Sequence, residues 1–160
     1  MPADRTRSTP TPAQLRVWRE YIETADALRR TLDGRMLSES GMSSGDYSVL
    51  LALSEAPRRT LRSAQLADAV GWERSRLSHH LRRMERRGLI TRDASEAEAR
   101  GVEVTITVVG LELFRAGSVP HLRAVKELFV DALSPQQLDD AGGIAAALRR
   151  KAGDTPGLRS

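Results

Sequence analysis

The feature that most constrains the fold is a pair of short helical segments separated by one glycine. The first is expected at about residues 63–70, and Gly71 separates it from a second helix at about residues 73–87. Successive residues of a helix are rotated by about 100° around its axis. On the second helix, Leu77, Leu81 and Met84 therefore fall within about 60° of one another and form an apolar face. Because the first segment also offers small and apolar residues, the two are expected to cross as a helix-turn-helix.

The opposite face of the second helix is basic. Seven arginines lie between Trp72 and Arg92, against only Glu73 and Glu85. Arginine binds guanine edges in a bidentate manner and neutralises phosphate. A charged run is ordinarily a solvated helix face, but this excess of one sign favours contact with a polyanion. The pattern therefore predicts a DNA-binding helix.

A β-hairpin is expected directly after this helix. Its strands are residues 89–92 and 102–107, the second of which alternates apolar and polar residues. The polar stretch 93–101 joins them. A hairpin in this position is a wing, whose arginine can enter the neighbouring minor groove.

The N-terminal region predicts one long helix. Residues 1–12 are expected to be a disordered arm, because they offer nothing to bury. Thr11 and Pro12 form a helix start, and apolar residues then recur at intervals of three and four to about residue 38. Such a stripe requires a partner, either the body of the domain or a second chain.

The C-terminal region is also helical, at about residues 108–151. Pro120 is expected to kink or interrupt the first helix there. Ser134 and Pro135 begin the last helix as N-cap and first helical residue. Residues 152–160 are expected to be a flexible tail.

Three stretches of the chain together resemble the MarR family of bacterial regulators: Leu66-Ala67-x-x-Val70-Gly71, Leu81-x-x-Met84-Glu85-x-x-Gly88-Leu89-Ile90 and Val102-x-Val104-x-Ile106-Thr107. The resemblance covers most of the chain. It implies a mainly α fold with a small β-hairpin wing, in a single domain at residues 13–151. The winged helix-turn-helix would occupy about residues 44–107, flanked by N- and C-terminal dimerisation helices at about 13–38 and 108–151.

The resemblance also assigns DNA contacts. The residues expected to read bases lie in the first half of the second helix: Arg74, Ser75, Arg76, Ser78 and His79. Arg82 and Arg83 extend the same basic surface. Ser63 and Gln65, at the start of the preceding helix, would contact phosphate.

Two positions depart from the family pattern. The wing motif, commonly Asp-x-Arg, is Glu98-Ala99-Arg100 here, and Arg100 is the expected wing contact. Arg62 stands where the family commonly has a threonine that caps the following helix.

The function expected is that of a sequence-specific transcriptional regulator. The resemblance implies a homodimeric repressor of a pseudo-palindromic operator, released by a small aromatic or phenolic effector. Trp18 and Tyr47 are candidate effector contacts, although such aromatics are more often core. A non-specific architectural DNA-binding protein is the alternative, and a protein-interaction module is less compatible with the basic face.

Several classes of function have little support. The chain has no cysteine, which excludes disulfides and thiol chemistry. Adjacent helical residues point about 100° apart, so His79 and His80 cannot chelate one ion well, and His80 is expected on the helix surface. No catalytic residues, cofactor, metal or membrane span are expected, and the protein is expected to be cytoplasmic.

Overall fold

Helix α1 (Pro12–Ser40) begins where the sequence indicates. Residues 9–94 and 101–153 of the computed structural model are described here. The Oγ1 of Thr11 accepts from the Gln14 N–H at 3.3 Å, and the Gln14 Oε1 accepts from the Thr11 N–H at 2.8 Å. This capping box satisfies two of the otherwise unpaired amides of the first turn. The helix ends at Gly41, whose φ of 68° permits the left-handed turn.

The helix-turn-helix consists of α2 (Ser44–Glu55), α3 (Ser63–Val70) and α4 (Arg74–Arg86). The predicted positions of α3 and α4 agree with the structure to within a residue. The apolar face of α4 is buried as expected, and its residues share one core cluster with α3: Leu66, Ala67, Leu77, Leu81 and Met84. The core of the molecule therefore lies behind α4 and fixes which face α4 turns outward.

The sheet has three strands, where the sequence predicted two. Strands β1 (Thr60–Arg62), β2 (Ile90–Ala94) and β3 (Val102–Ile106) are antiparallel in the order β1-β3-β2. The extra strand follows a 3₁₀ turn at Pro57–Arg59. It pairs through its backbone, and the hydroxyls of Thr60 and Thr105 lie 2.8 Å apart across the pair.

Helix α5 (Val108–Val125) runs through Pro120, so of the predicted kink or interruption the interruption is absent. A proline inside a helix removes one backbone hydrogen bond and crowds the carbonyl of the preceding turn, yet the helical conformation is kept on both sides of Pro120. A π-helical segment, Lys126–Val130, then leads to α6 (Pro135–Gly153). Helix α6 begins at the predicted Ser134 cap and includes residues 152 and 153, which were expected in the tail.

The start of α5 lies directly on the sheet. A Cβ atom added at Gly110 would lie 2.1 Å from the carbonyl oxygen of Leu89. The Oγ1 of Thr107 donates to the carbonyl of Gly88 at 2.6 Å and accepts from the Gly110 N–H at 3.0 Å. The first turn of α5 is thereby held against the chain that enters β2.

The two ends of the chain leave apolar side chains uncovered. Helix α1 packs against α5, but Trp18 near its N-terminus is 61% exposed. On α6, Ile144 is 48% and Leu148 is 55% exposed. Among the described residues, no helix combines the length and apolar content needed to cross a lipid bilayer.

Candidate nucleic-acid interface

Helix α4 presents a polar, cationic surface to solvent. Its 13 residues span about 20 Å, and a major groove about 12 Å wide accepts such a helix. Ser78 is half-buried. The other predicted contact residues on this helix are exposed: Arg74, Ser75, Arg76, His79, Arg82 and Arg83. The structure therefore leaves the residues that the sequence singled out on this helix accessible to solvent, on the part of α4 that the core does not cover.

Lysine is absent from this region of the chain. All but two of the 25 lysine and arginine residues are arginine, and the two lysines are Lys126 and Lys151, in the C-terminal helical region. The cations of α4 are therefore guanidinium groups, with the planar donor geometry that suits guanine and phosphate.

The side chain of Arg76 is held by an aromatic ring. Its guanidinium carbon lies 4.4 Å from the centroid of Trp72, which follows Gly71 in the turn between α3 and α4. The edge of Trp72 in turn meets the ring of His80, with centroids 5.2 Å apart and planes at 88°. A cation over an indole face is attracted by the ring quadrupole, so Arg76 has a preferred position before any ligand arrives.

His80 is buried, where the sequence predicted a surface residue. Only 8% of it is exposed, because the N-terminus of α2 lies against α4 at this point. A Cβ atom at Gly45 would lie 2.8 Å from the Cε1 of His80. The signal was present in the sequence, since His80 lies about 40° from Met84 on the helical wheel, at the edge of the apolar face.

Asp46 is the buried acid that His80 faces. It is 2% exposed, and its Oδ2 accepts from the Nη1 of Arg87 at 2.7 Å and from the Ser43 N–H at 3.1 Å. The Nε2 of His80 lies 3.0 Å from its Oδ1. This contact is close without being a well-directed hydrogen bond, so its contribution is chiefly electrostatic.

The environment of Asp46 favours its charged form. Burial alone would raise the pKa of this carboxyl group, but its contacts with His80, Arg87 and Ser43 together hold the pKa well below its usual range. An ionised carboxylate therefore joins the start of α2 to the middle and the end of α4.

A basic concavity lies between α4 and the wing strand β2. It has a volume of about 590 Å³ and is lined by His79, Arg82, Arg83, Glu85, Arg86 and Arg92. Arg92 bonds to Glu85 through its Nε at 2.9 Å, which ties β2 to α4. The remaining cations are exposed, so the concavity is suited to a phosphate backbone.

The start of α3 carries the predicted phosphate contacts. Ser63 is half-buried and Gln65 is exposed. The Oε1 of Gln65 accepts from the Arg62 N–H at 3.2 Å, so glutamine supplies part of the cap at this helix start. The amide nitrogen of Gln65 is the group available for phosphate. Glu98 and Arg100 lie outside the described residues.

Tyr47, one of the two candidate effector contacts, lies against aromatic side chains of α5. Tyr47 packs against Phe114, with ring centroids 5.6 Å apart, and against His121 at 4.7 Å. It borders a pocket of about 430 Å³ that Trp18 does not line. Burial raises the pKa of Tyr47 and lowers that of His121. Tyr47 therefore has packing contacts within the fold, and the roles of Trp18 and Tyr47 in effector binding stay predictions. In the part of the chain that the structure describes, no cluster of acids and histidines could hold a metal ion.

Comparison with known proteins gives matches of two kinds. A family model described as MarR family matches residues 40–101. The crystal structure of Sco3205, a MarR family transcriptional regulator from Streptomyces coelicolor in complex with DNA, is 33% identical, with a TM-score of 0.85 over 93% of each chain. AbsC, a MarR family transcriptional regulator from the same organism, is 32% identical, with a TM-score of 0.79 over 89% of this chain and 99% of its own.

A more distant solved structure has the same fold, and a search of curated sequences gave no match. The Staphylococcus aureus MepR–DNA complex is 18% identical, with a TM-score of 0.73 over 89% of this chain and 99% of its own, and shows the shared fold. Because relatives above 30% identity align over nearly their whole length with the same helix and strand arrangement, the chain belongs to the MarR family of transcriptional regulators.

Proposed function

We propose that this protein is a sequence-specific DNA-binding transcriptional regulator that acts as a homodimer. The observation that carries the proposal is the two-faced helix α4. Its apolar side is fully packed, and its arginine-rich side is exposed next to the wing. In a helix-turn-helix protein this arrangement places the second helix in the major groove and the wing over the adjacent backbone.

The DNA contacts divide by position along this surface. Arg74, Ser75, Arg76, Ser78 and His79 are proposed to read base edges from the N-terminal half of α4. Arg82, Arg83, Ser63 and Gln65 are proposed to contact phosphate, and Arg100 to reach the minor groove from the wing. Phosphate contacts fix the register, and base contacts supply the sequence preference.

A second copy of the chain is proposed to cover the ends of α1 and α6. These helices expose Trp18, Ile144 and Leu148, whose burial would stabilise a dimer by removing apolar surface from water. Residues of α1, α5 and α6 would form the dimerisation region, and residues 44–107 the winged helix-turn-helix. A twofold dimer reads half-sites about 10 base pairs apart, hence a pseudo-palindromic operator.

The finer parts of the proposal follow the family. The protein would repress transcription in the bacterial cytoplasm and would release DNA when a small aromatic or phenolic effector binds. No catalytic role is proposed, since the relatives named above are transcriptional regulators.

The first test is a titration against two duplexes at two salt concentrations. One duplex comes from the region upstream of the protein's own gene, and the other is a shuffled sequence of equal composition. We expect the native duplex to bind more tightly by several kcal/mol, about 4 or more. Equal binding to both, falling together as salt rises, would instead indicate a non-specific architectural protein.

Variants locate the contact on α4. Arg76→Ala should weaken operator binding by about 1–3 kcal/mol if Arg76 reads a base. Arg123→Ala removes the same charge from α5 and serves as the control, provided that light scattering shows the same mass for it as for the native protein. If the two variants bound the operator with equal affinity, Arg76 would not be a DNA contact.

A further inference from the structure

We infer that Asp46 and His80 are positioning residues that hold Arg76 and Arg83 in place for DNA before the protein meets it. The inference rests on the proposed function, because it concerns how α4 presents its arginines. Neither Asp46 nor His80 is exposed enough to contact a duplex itself. Both act through the side chains that they touch.

The first step is the link between α2 and α4. Asp46 is the third residue of α2 and completes the capping box with Ser43. The same carboxylate faces His80 at 3.0 Å and accepts from Arg87 at 2.7 Å. One turn of α2 therefore fixes α4 at two points almost two turns apart, which restrains both its rotation and its tilt.

The second step is the set of contacts that His80 makes with the arginines. The Nη2 of Arg83 lies 2.9 Å from the Nδ1 of His80. On the other side, the ring of His80 meets the edge of Trp72, which carries the guanidinium of Arg76 on its face. One buried imidazole thus supports two exposed arginines, one directly and one through an indole.

The third step is the position of the imidazole proton. A guanidinium group only donates hydrogen bonds, so the Nδ1 of His80 must accept from Arg83. The proton of the neutral ring is then on Nε2, facing the carboxylate of Asp46. Asp46 and Arg83 favour the same tautomer from opposite sides of the ring, which makes the arrangement self-consistent.

The rings of His80 and Trp72 approach α2 closely at Gly45. A Cβ atom at Gly45 would lie 2.8 Å from the Cε1 of His80 and 3.0 Å from the Cη2 of Trp72. The imidazole and the indole therefore lie directly against the backbone of α2 at Gly45. They also form one wall of an open concavity of about 550 Å³, which Arg76 and Arg83 line as well.

The consequence for binding is entropic and geometric. A free arginine side chain loses rotamer freedom when it engages DNA, and this loss opposes binding. In the absence of DNA, Arg76 and Arg83 have already lost part of that rotamer freedom through their contacts with Trp72 and His80. Preorganised contacts favour the sequence that fits them, whereas non-specific binding depends chiefly on charge, which the positioning residues leave unchanged.

The experiment compares His80→Leu, His80→Gln and Asp46→Asn with the native protein. Operator and shuffled duplexes are titrated separately, and thermal unfolding is recorded for each variant. His80→Leu and Asp46→Asn should lower operator affinity roughly tenfold and change shuffled-duplex affinity less than about twofold. His80→Gln, whose amide can direct an N–H toward Asp46 and an oxygen toward Arg83, should recover most of the loss. Asp68→Asn removes the same charge from an exposed position on α3 and should behave as the native protein.

Two outcomes overturn the inference. Unchanged operator affinity in His80→Leu and Asp46→Asn would show that the arginines need no support. Equal losses on both duplexes, in step with lower thermal stability and without recovery in His80→Gln, would indicate a purely structural role.

A second readout needs no DNA and separates this inference from the proposed function. Imidazole ¹⁵N chemical shifts of the native protein should show the Nε2–H tautomer at His80, and Arg83→Ala should alter them. An Nδ1–H ring would overturn the inference even if operator binding is specific. If the native protein does not distinguish the two duplexes, the proposed function fails, and these spectra alone decide whether His80 supports Arg83.

Discussion

Replacing Gly110 with alanine should destabilise the protein, although alanine is ordinarily the better helix residue. Gly110 lies in the first turn of α5, where the helix meets the start of β2. The added Cβ would lie 2.1 Å from the Leu89 carbonyl oxygen and 3.1 Å from the Cγ1 of Ile106. Since real Cβ contacts essentially never fall below 3.0 Å, at least 3.0 − 2.1 = 0.9 Å of movement is required.

Two opposing contributions determine how much Gly110→Ala changes the free energy of unfolding. Overpacking a core costs about 1–3 kcal/mol, and the cost should lie near the upper limit here because the nearest atom belongs to backbone. Alanine contributes about 0.5–1 kcal/mol of helix stability relative to glycine. The free energy of unfolding should therefore fall by about 2 kcal/mol.

Urea unfolding measures this change, with all proteins at one concentration because the stability of a dimer depends on it. Gly34→Ala is the matched control, since Gly34 is exposed on α1 and a Cβ atom there would meet nothing within 4 Å. The control should be stabilised by about 0.5–1 kcal/mol. If Gly110→Ala were as stable as the native protein or more so, the close approach of α5 to β2 would be refuted.

Three further predictions concern the core, the buried acid and the chain ends. Leu81→Ala, at a site that is 1% exposed, should cost about 2–5 kcal/mol in urea unfolding, and a loss below 1 kcal/mol would contradict its place in the core. The pKa of Asp46 is lowered on folding, so its contribution to stability is present above the unfolded value of about 3.9 and is lost as pH falls below it. Asp46→Asn should therefore flatten the loss of stability in acid, measured by urea unfolding between about pH 6 and pH 2.5, and an unchanged acid slope would count against the depressed pKa. Leu148→Asp should shift the mass in sedimentation equilibrium from that of a dimer, twice 17.6 kDa, toward the 17.6 kDa monomer, whereas an intact dimer would place α6 outside the interface.

Local chemistry made several helices predictable from the sequence. Thr11 and Ser134 each precede a proline and a glutamine that completes the cap, and the structure begins α1 and α6 at those points. Gly71 ends α3 with a φ of 67°, where a glycine has no steric cost. These signals depend on neighbours within about four residues, so they can be read without knowing the fold.

Other features depend on residues that are distant in sequence. Strand β1 has three residues, too few for an alternating pattern, and it exists because β3 supplies its hydrogen-bond partners. The burial of His80 depends on Asp46, 34 positions earlier, and on the absence of a side chain at Gly45. The arginines of the candidate site were identifiable from charge, but the acid and the imidazole beneath them required the packing of α2 on α4.

The arginine-only surface of α4 has a consequence for chemical modification. Enzymes and reagents that acetylate lysine would find side-chain targets only at Lys126 and Lys151, both in the C-terminal helical region. Acetylation removes the charge of an amine but leaves a guanidinium unchanged. The affinity of α4 for a polyanion should therefore be insensitive to acetyl donors in the cell, and dyes that react with amines can label the protein for binding experiments without neutralising the surface under study.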